Sequence, residues 1–278
     1  MSKEAMSLKA QIRNLAKEKN VMAQILLQNY MFERFLERLS LSEYKDSFIL
    51  KGGMLISAIV GIDSRTTMNL DATLRGLALT EESILKTVNA ICSISIDDGV
   101  IMTVGGVTPI RADDEYGGYR TKIKAVYDTI ETPFTVDLST GDVITPSPVK
   151  YTFRGMFDEE KQIELWAYNI ETVISEKLET ILSRSTLNTR PRDFYDIHIL
   201  HTTQKYDPML LKEAFTATAS HRNTAKQVSD IPATLEKIEG SVELRQMWEK
   251  YRREFAYAAD LPYETVIESL RAACVAIS

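Results

Sequence analysis

Apolar residues recur at helical spacing through the first forty positions of the chain. Leu8, Ile12 and Leu15 share one face, and Phe32, Phe35, Leu36 and Leu39 repeat at i, i+3, i+4 and i+7. Two N-terminal helices are therefore expected, ended by the polar run Ser40 to Asp46. A short apolar segment, Phe48-Ile49-Leu50-Lys51, then meets Gly52-Gly53, and Met54 to Val60 continues as an apolar helix. From Thr67 the period changes to two. Asn69, Asp71 and Thr73 alternate with Met68, Leu70, Ala72 and Leu74, which predicts a half-buried strand.

Thr80 to about Ile91 reads as a helix, with Thr80 as its N-cap and Glu81 and Glu82 in the first turn. Ile94–Ile96, Val100–Val104, Arg120–Val126 and Pro133–Leu138 read as further strands. Asp97-Asp98-Gly99 and Glu115-Tyr116-Gly117-Gly118 are turn-forming separators, and Asp113-Asp114-Glu115 reads as a solvated hairpin loop. Beyond Pro146 and Pro148 a connector is expected to lead into a helical half. There Ile170, Ile174, Leu178, Ile181 and Leu182 form one stripe, and Pro191 opens the next helix. No internal repeat or low-complexity tract interrupts the chain. The pattern predicts an α+β fold: a sheet-bearing core with N-terminal helices in residues 1–150 and a mainly helical domain in residues 151–278.

Composition narrows the class. Of 278 residues, 44% are hydrophobic and 26% charged, which excludes a disordered or fibrous chain. A net charge of −6 argues against nonspecific coating of nucleic acid, although 33 Lys and Arg residues leave room for a local basic groove. Cys92 and Cys274 lie far apart, lack zinc-ligand spacing and suit a reducing compartment. The longest apolar stretch, Met54 to Ile62, is under half a membrane span, and the N-terminus lacks a signal-peptide core, so a cytoplasmic chain without membrane partners is expected.

Four segments carry candidate chemistry. Gly52 and Gly53 before a helix let backbone amides approach an anion, though a plain packing turn has the same sequence. Asn69 and Asp71 project from one strand face about 7 Å apart, a pairing of hard oxygen donors that suits Mg²⁺, and equally the wet face of an edge strand. Asp137, between apolar Val136 and Leu138, offers a third carboxylate, as two-metal phosphoryl chemistry requires. Lys177 flanks the apolar stripe of its helix, where an ammonium stays half-sheltered and reaches a phosphate, with Arg184, Arg190 and Arg192 adding charge. Asp193 and Asp196 lie three apart on the next helix; a surface ion-pair network among Glu176, Lys177, Arg192 and Asp193 is the competing reading. Arg120, Lys122 and Lys124 fit an RNA-tracking strand or, slightly better, an ordinary solvated one. His198 and His201 lack a third ligand, Trp166 with Tyr168 reads as core packing, and Cys92 as a small buried hydrophobe.

The ordered motifs Lys51-Gly52-Gly53-Met54-Leu55, Arg65-Thr66-Thr67-Met68-Asn69-Leu70-Asp71, Ser175-Glu176-Lys177-Leu178 and Arg192-Asp193-Phe194-Tyr195-Asp196 resemble the AbiEii/AbiGii toxins. These are nucleotidyltransferase-like toxins of bacterial abortive-infection toxin–antitoxin systems. The resemblance runs from the N-terminal helices to about residue 200. It implies a DNA polymerase β-like nucleotidyltransferase core with a small mixed sheet, a nucleoside triphosphate substrate and Mg²⁺ or Mn²⁺. It further implies an RNA acceptor, expected to be tRNA, and a DNA-binding antitoxin encoded alongside. Carried over by position, Gly52 and Gly53, with Lys51 and Arg65 beside them, would hold the triphosphate, and Lys177 would contact phosphate. Asn69 and Asp71 would occupy the metal-ligand pair, to which the strand reading adds Asp137, and Asp193, or failing it Asp196, would be the distal catalytic acid. The chain departs from the family pattern at Asn69, where aspartate is expected; the amide keeps one oxygen donor and removes a negative charge, which implies reduced metal binding and transfer. Two other readings follow: a nucleotide-binding (GTP-binding) interaction protein without turnover, or a nucleotidyltransferase acting on a small molecule.

Overall fold

A computed structural model of the chain describes residues 2–110, 117–158 and 160–278, so Asp113-Asp114-Glu115 lies outside the described residues. The chain divides into two compact units. One comprises Met1–Asp142 and Val149–Ala167, the other Val143–Pro148 and Tyr168–Ser278.

The first unit opens with α1 (Lys3–Lys19) and α2 (Ala23–Leu41), followed by β1 (Phe48–Lys51), α3 (Gly52–Val60), β2 (Asn69–Leu74) and α4 (Glu81–Cys92). Strands β3 (Val100–Ile110), β4 (Gly118–Tyr127), β5 (Ile130–Thr140), β6 (Val149–Arg154) and β7 (Gln162–Ala167) complete it. The seven strands form one mixed sheet in the order β3-β4-β5-β2-β1-β7-β6. β2 runs parallel to β5 and β1 parallel to β7, while the remaining pairs are antiparallel.

The period of two decides which side of each strand faces the helices. Leu70 on β2 and Phe134, Val136 and Leu138 on β5 are buried, and Phe32 and Phe35 of α2 meet the Phe134 ring edge-on at 5.3 and 6.1 Å. Asn69, Asp71 and Thr73 on β2, with Thr135, Asp137 and Ser139 on β5, therefore share the opposite, polar face. Thr80 caps α4 as expected, its hydroxyl accepting from the Ser83 amide.

Two segments differ from expectation. Ile94–Ile96 is irregular rather than a strand, because α4 runs on to Cys92 and Asp98 is anchored by Arg38 of α2 at 2.7 and 2.9 Å, leaving only a short connector between them. Residues 149–167, expected as a connector, are the hairpin β6–β7, which extends the sheet beyond β1. Ile163, Leu165 and Ala167 are buried at alternate positions, a strand signal that the strong helical stripe starting at Ile170 overshadowed.

The second unit is helical: α5 (Ile170–Arg184), α6 (Pro191–Thr203), α7 (Pro208–His221), α8 (Ile231–Gly240), α9 (Val242–Glu254) and α10 (Tyr263–Val275). Asn169, Asp207, Asp230 and Ser241 cap four of these with side-chain oxygens, and Pro191 takes the first turn of α6. Ile174, Leu178, Ile181 and Leu182 are buried, so the predicted stripe is the packed face of α5. The Asn169 amide also donates to the carbonyls of Thr145 and Ser147 at 2.7 and 3.0 Å, which ties the 143–148 segment to this unit. Among the described residues, no helix is long and apolar enough to cross a membrane.

Candidate active site

The first unit's candidate residues gather where β1 turns into α3. Gly52 has φ +66°, a left-handed conformation that side chains other than glycine's rarely adopt. A Cβ there would lie 2.4 Å from Asp71 Oδ2, so only glycine lets the Asp71 carboxylate rest against the turn. A Cβ on Gly53 would fall 2.8 Å from Thr67 Oγ1 and 3.4 Å from Arg65 Nη2. The buried Arg65 guanidinium thus lies beside the second glycine and also bonds the Thr66 carbonyl. The first-turn amides of α3 have no intrahelical acceptors, and the helix dipole favours an anion there.

Strand register sets the charged groups around this turn. Lys51 on β1 is the partner of Asp71, Asp71 of Asp137 on β5, and Asp137 of Arg120 on β4. Arg120 grips both oxygens of Asp137, with Nε and Nη2 at 2.7 and 2.6 Å, and that bond raises the guanidinium pKa further. The Asn69 Oδ1 accepts from Thr135 Oγ1 at 3.1 Å. Lys51 donates to Ser139 Oγ at 2.8 Å and to Asp142 Oδ2 at 2.5 Å, and Ser139 Oγ donates to the same oxygen at 2.8 Å.

Asp142 and Ser139 escaped the sequence reading. The available signal was Gly141, whose φ of +82° turns the chain so that Asp142 comes back toward the end of β5. Burial alone would raise the Asp142 pKa. The Lys51 charge, together with hydrogen bonds from Lys51, Ser139 and Thr73, outweighs burial and lowers it to about 2. Because the folded value lies below the unfolded one, the stabilisation is fully present above about pH 4 and is lost as pH falls toward 2. Its expected size is about 2 kcal/mol. Urea unfolding at pH 6 and pH 3 should show about half of this loss, about 1 kcal/mol, in the native chain and a smaller one in Asp142→Asn.

In the second unit, Lys177 of α5 pairs with Asp193 and, at 3.0 Å, with Asp196 of α6. Both acids are buried, and Asp193 Oδ2 has no hydrogen-bond partner among the described residues. Of the competing ion-pair network the Lys177–Asp193 pair is formed, while Glu176 pairs with Arg222 at 2.7 Å, and Arg184, Arg190 and Arg192 are exposed.

The remaining expectations resolve simply. His198 bonds Ser269 and His201 bonds Tyr206. Cys92 is buried, which pushes its thiol up to about 12. Lys122 is exposed and Lys124 approaches Glu131 at 3.7 Å, an ordinary solvated strand face. Trp166 corrects the core-packing expectation: it lies on the polar side of β7, donates to Asp46 at 2.9 Å and has the Lys150 ammonium 4.4 Å from its ring. The alternation that buries Leu165 and Ala167 turns Trp166 the other way.

A glycine turn at a helix start, faced by an acid on the adjoining strand of a seven-stranded mixed sheet, marks the fold around the candidate site. Two solved structures have that fold in common with this chain. JHP933 from Helicobacter pylori and an H. pylori protein provisionally named a nucleotidyltransferase each match with a TM-score of 0.55 and 18% identity. Each match covers 92% of this chain, and 93% and 96% of those chains respectively. No curated protein matches the sequence significantly. The profile of the family described as nucleotidyl transferase AbiEii toxin of type IV toxin–antitoxin systems matches residues 34–272. The chain belongs to this family.

Proposed function

We propose that the chain is a toxin that transfers a nucleotidyl group from a nucleoside triphosphate to an RNA acceptor, with tRNA the foremost candidate. It would act in the cytoplasm under the control of a DNA-binding antitoxin encoded beside it. The single observation that carries the reading is the Asp71 carboxylate seated on the Gly52 turn, in register with Asp137. An anion cradle and hard oxygen donors then adjoin within one unit, as a triphosphate with its counter-ion requires.

The donor set fits one divalent cation. Asp71 and the Asn69 carbonyl would supply oxygen ligands, and Asp137 would join them through oxygens that the Arg120 guanidinium also holds, so that one of the two carboxylate charges is offset. Such a site suits a cation that takes its other ligands from water and substrate phosphates. Mg²⁺ or Mn²⁺ held there would supply Lewis-acid stabilisation of the charge that develops on the phosphates. The turn amides would bind the triphosphate and orient it for in-line attack, with the buried Arg65 guanidinium adding positive charge behind the second glycine. In the second unit, Asp193 and Asp196 fix the direction of the Lys177 ammonium, a cation of the kind that balances phosphate charge. Lys51 takes a supporting place, since its ammonium is engaged by Asp142 and Ser139.

Incubating the native chain and Asn69→Asp with Mg²⁺ or Mn²⁺, each labelled triphosphate and total cellular RNA tests the proposal. The expected result is label on tRNA-sized RNA from one triphosphate, at least about tenfold faster with Asn69→Asp, a barrier change of about 1.4 kcal/mol. Absence of label with both proteins overturns it. Asn69 and the Arg120 hold on Asp137 together favour a second reading, nucleotide binding without turnover. Triphosphate binding by Asn69→Asp with no pyrophosphate released selects that reading, and label confined to small molecules selects a non-RNA acceptor.

A further inference from the structure

Trp166 stands half-buried on the polar side of β7, among charges rather than apolar neighbours. The indole is fixed, since its Nε1–H donates to Asp46 Oδ1 at 2.9 Å. Two cations lie over the ring. Lys150 Nζ, on the register partner of Trp166 in β6, is 4.4 Å from the ring centroid, and the Arg75 guanidinium carbon is 5.5 Å from it. Arg75 is exposed and donates to the Asp46 carbonyl at 3.1 Å. Lys150 is held loosely: its side chain is 37% exposed, with carboxylates of Asp46 and Glu164 at 3.7 and 3.9 Å.

Strand register puts this group on the same sheet face as Asp71. Trp166 is the partner of Ile49 on β1, and Ile49 of Thr73 on β2, two residues past Asp71. Two strand spacings across and two residues along make about 12 Å between the Cα atoms of Trp166 and Asp71. A single strand rising about 3.4 Å per stacked nucleotide covers that span in about three or four nucleotides.

We propose that Trp166, Lys150 and Arg75 form a platform for the single-stranded end of the RNA acceptor. One base stacks on the indole, and the two cations take the phosphates beside it. The inference rests on the RNA-transferase reading and adds where the acceptor is held. An unpaired base presents a π-face that can replace the ammonium on the ring. The displaced Lys150 then exchanges its long pairs with Asp46 and Glu164 for a charge-assisted contact with phosphate. Those two acids match the two cations, so charge alone gives little grip and stacking must supply it, which favours an unpaired base over a duplex. A protein partner fits less well, because exposed Lys150, Arg75, Asp46 and Glu164 surround the ring where a protein interface needs an uncharged core.

Titration of the full chain with a single-stranded oligoribonucleotide of about eight nucleotides tests this. Of the two tryptophans, Trp248 is buried, so a base stacked on Trp166 is read as lost fluorescence. Quenching is expected in the native chain and not in Trp166→Phe. Affinity should fall at least about tenfold in Trp166→Ala and return to within about threefold of native in Trp166→Phe, which keeps a ring to stack on. Lys150→Ala, an exposed substitution that does not depend on the folding of Trp166→Ala, should reduce the slope of log affinity against log salt by about 0.7, one phosphate contact. Absence of native quenching, unchanged affinity in Trp166→Ala, an unchanged slope in Lys150→Ala, or equal affinity for a blunt RNA duplex overturns the proposal. Binding through Trp166 with no nucleotide transferred supports the platform and counts instead against the transferase reading. Transfer to RNA whose KM does not move in Trp166→Ala overturns the platform and leaves that reading standing.

Discussion

Asp71→Asn is expected to lower nucleotidyl transfer about a thousandfold while leaving the fold intact. The substitution keeps the size and one oxygen of the side chain and removes the charge that faces the Gly52 turn. With Asn69 already neutral, Asp137 would remain the only carboxylate among the three metal-ligand candidates, and Arg120 balances it. Single-turnover transfer measured beside thermal unfolding checks this. A loss of activity with an unchanged midpoint is the expected pattern, and activity within about threefold of the native chain removes Asp71 from the chemistry.

Gly52→Ala is expected to cost both stability and function. An alanine at φ +66° is disfavoured by about 1–2 kcal/mol before any contact is counted. Its Cβ would also sit 2.4 Å from Asp71 Oδ2, so the carboxylate must move. Triphosphate affinity and transfer should each fall about a hundredfold, beyond what the stability loss explains. Gly53→Ala provides the contrast, because Gly53 does not require a positive φ and its nearest conflict is the Thr67 hydroxyl at 2.8 Å. Isothermal titration and urea unfolding of the two variants separate backbone strain from displacement of Asp71; equal, small losses in both would refute the special role of Gly52.

Local periodicity made much of this fold legible. The stripes of α2 and α5, the alternation of β2 and β5, and the Thr80 and Pro191 helix starts all stand where the pattern predicts. The hairpin β6–β7 was harder to see, because six-residue strands give a short signal and an adjacent fifteen-residue helix gives a long one. At the candidate site, the glycines and Asp71 could be singled out because a turn and a polar strand face leave local marks. Strand order leaves none. That Asp137 is the register partner of Asp71 depends on a parallel pairing between segments sixty-six residues apart, and the Lys51–Asp142 bond on the same long-range pairing. Trp166 was misread for a related reason: aromatic residues usually pack inward, yet the strand phase set by Leu165 and Ala167 leaves this one facing the polar side.

The chain passes from the first unit to the second at Asp142, returns at Val149 and leaves again after Ala167. Simple truncation therefore cannot isolate either part. A fragment ending near residue 150 would lose β7, the parallel neighbour of β1, and expose the strand that bears Lys51 as a raw edge. A fragment starting there would lack the Thr145 and Ser147 carbonyls that satisfy Asn169. The interleaving also means that no single crossover point in this polypeptide separates one whole unit from the other.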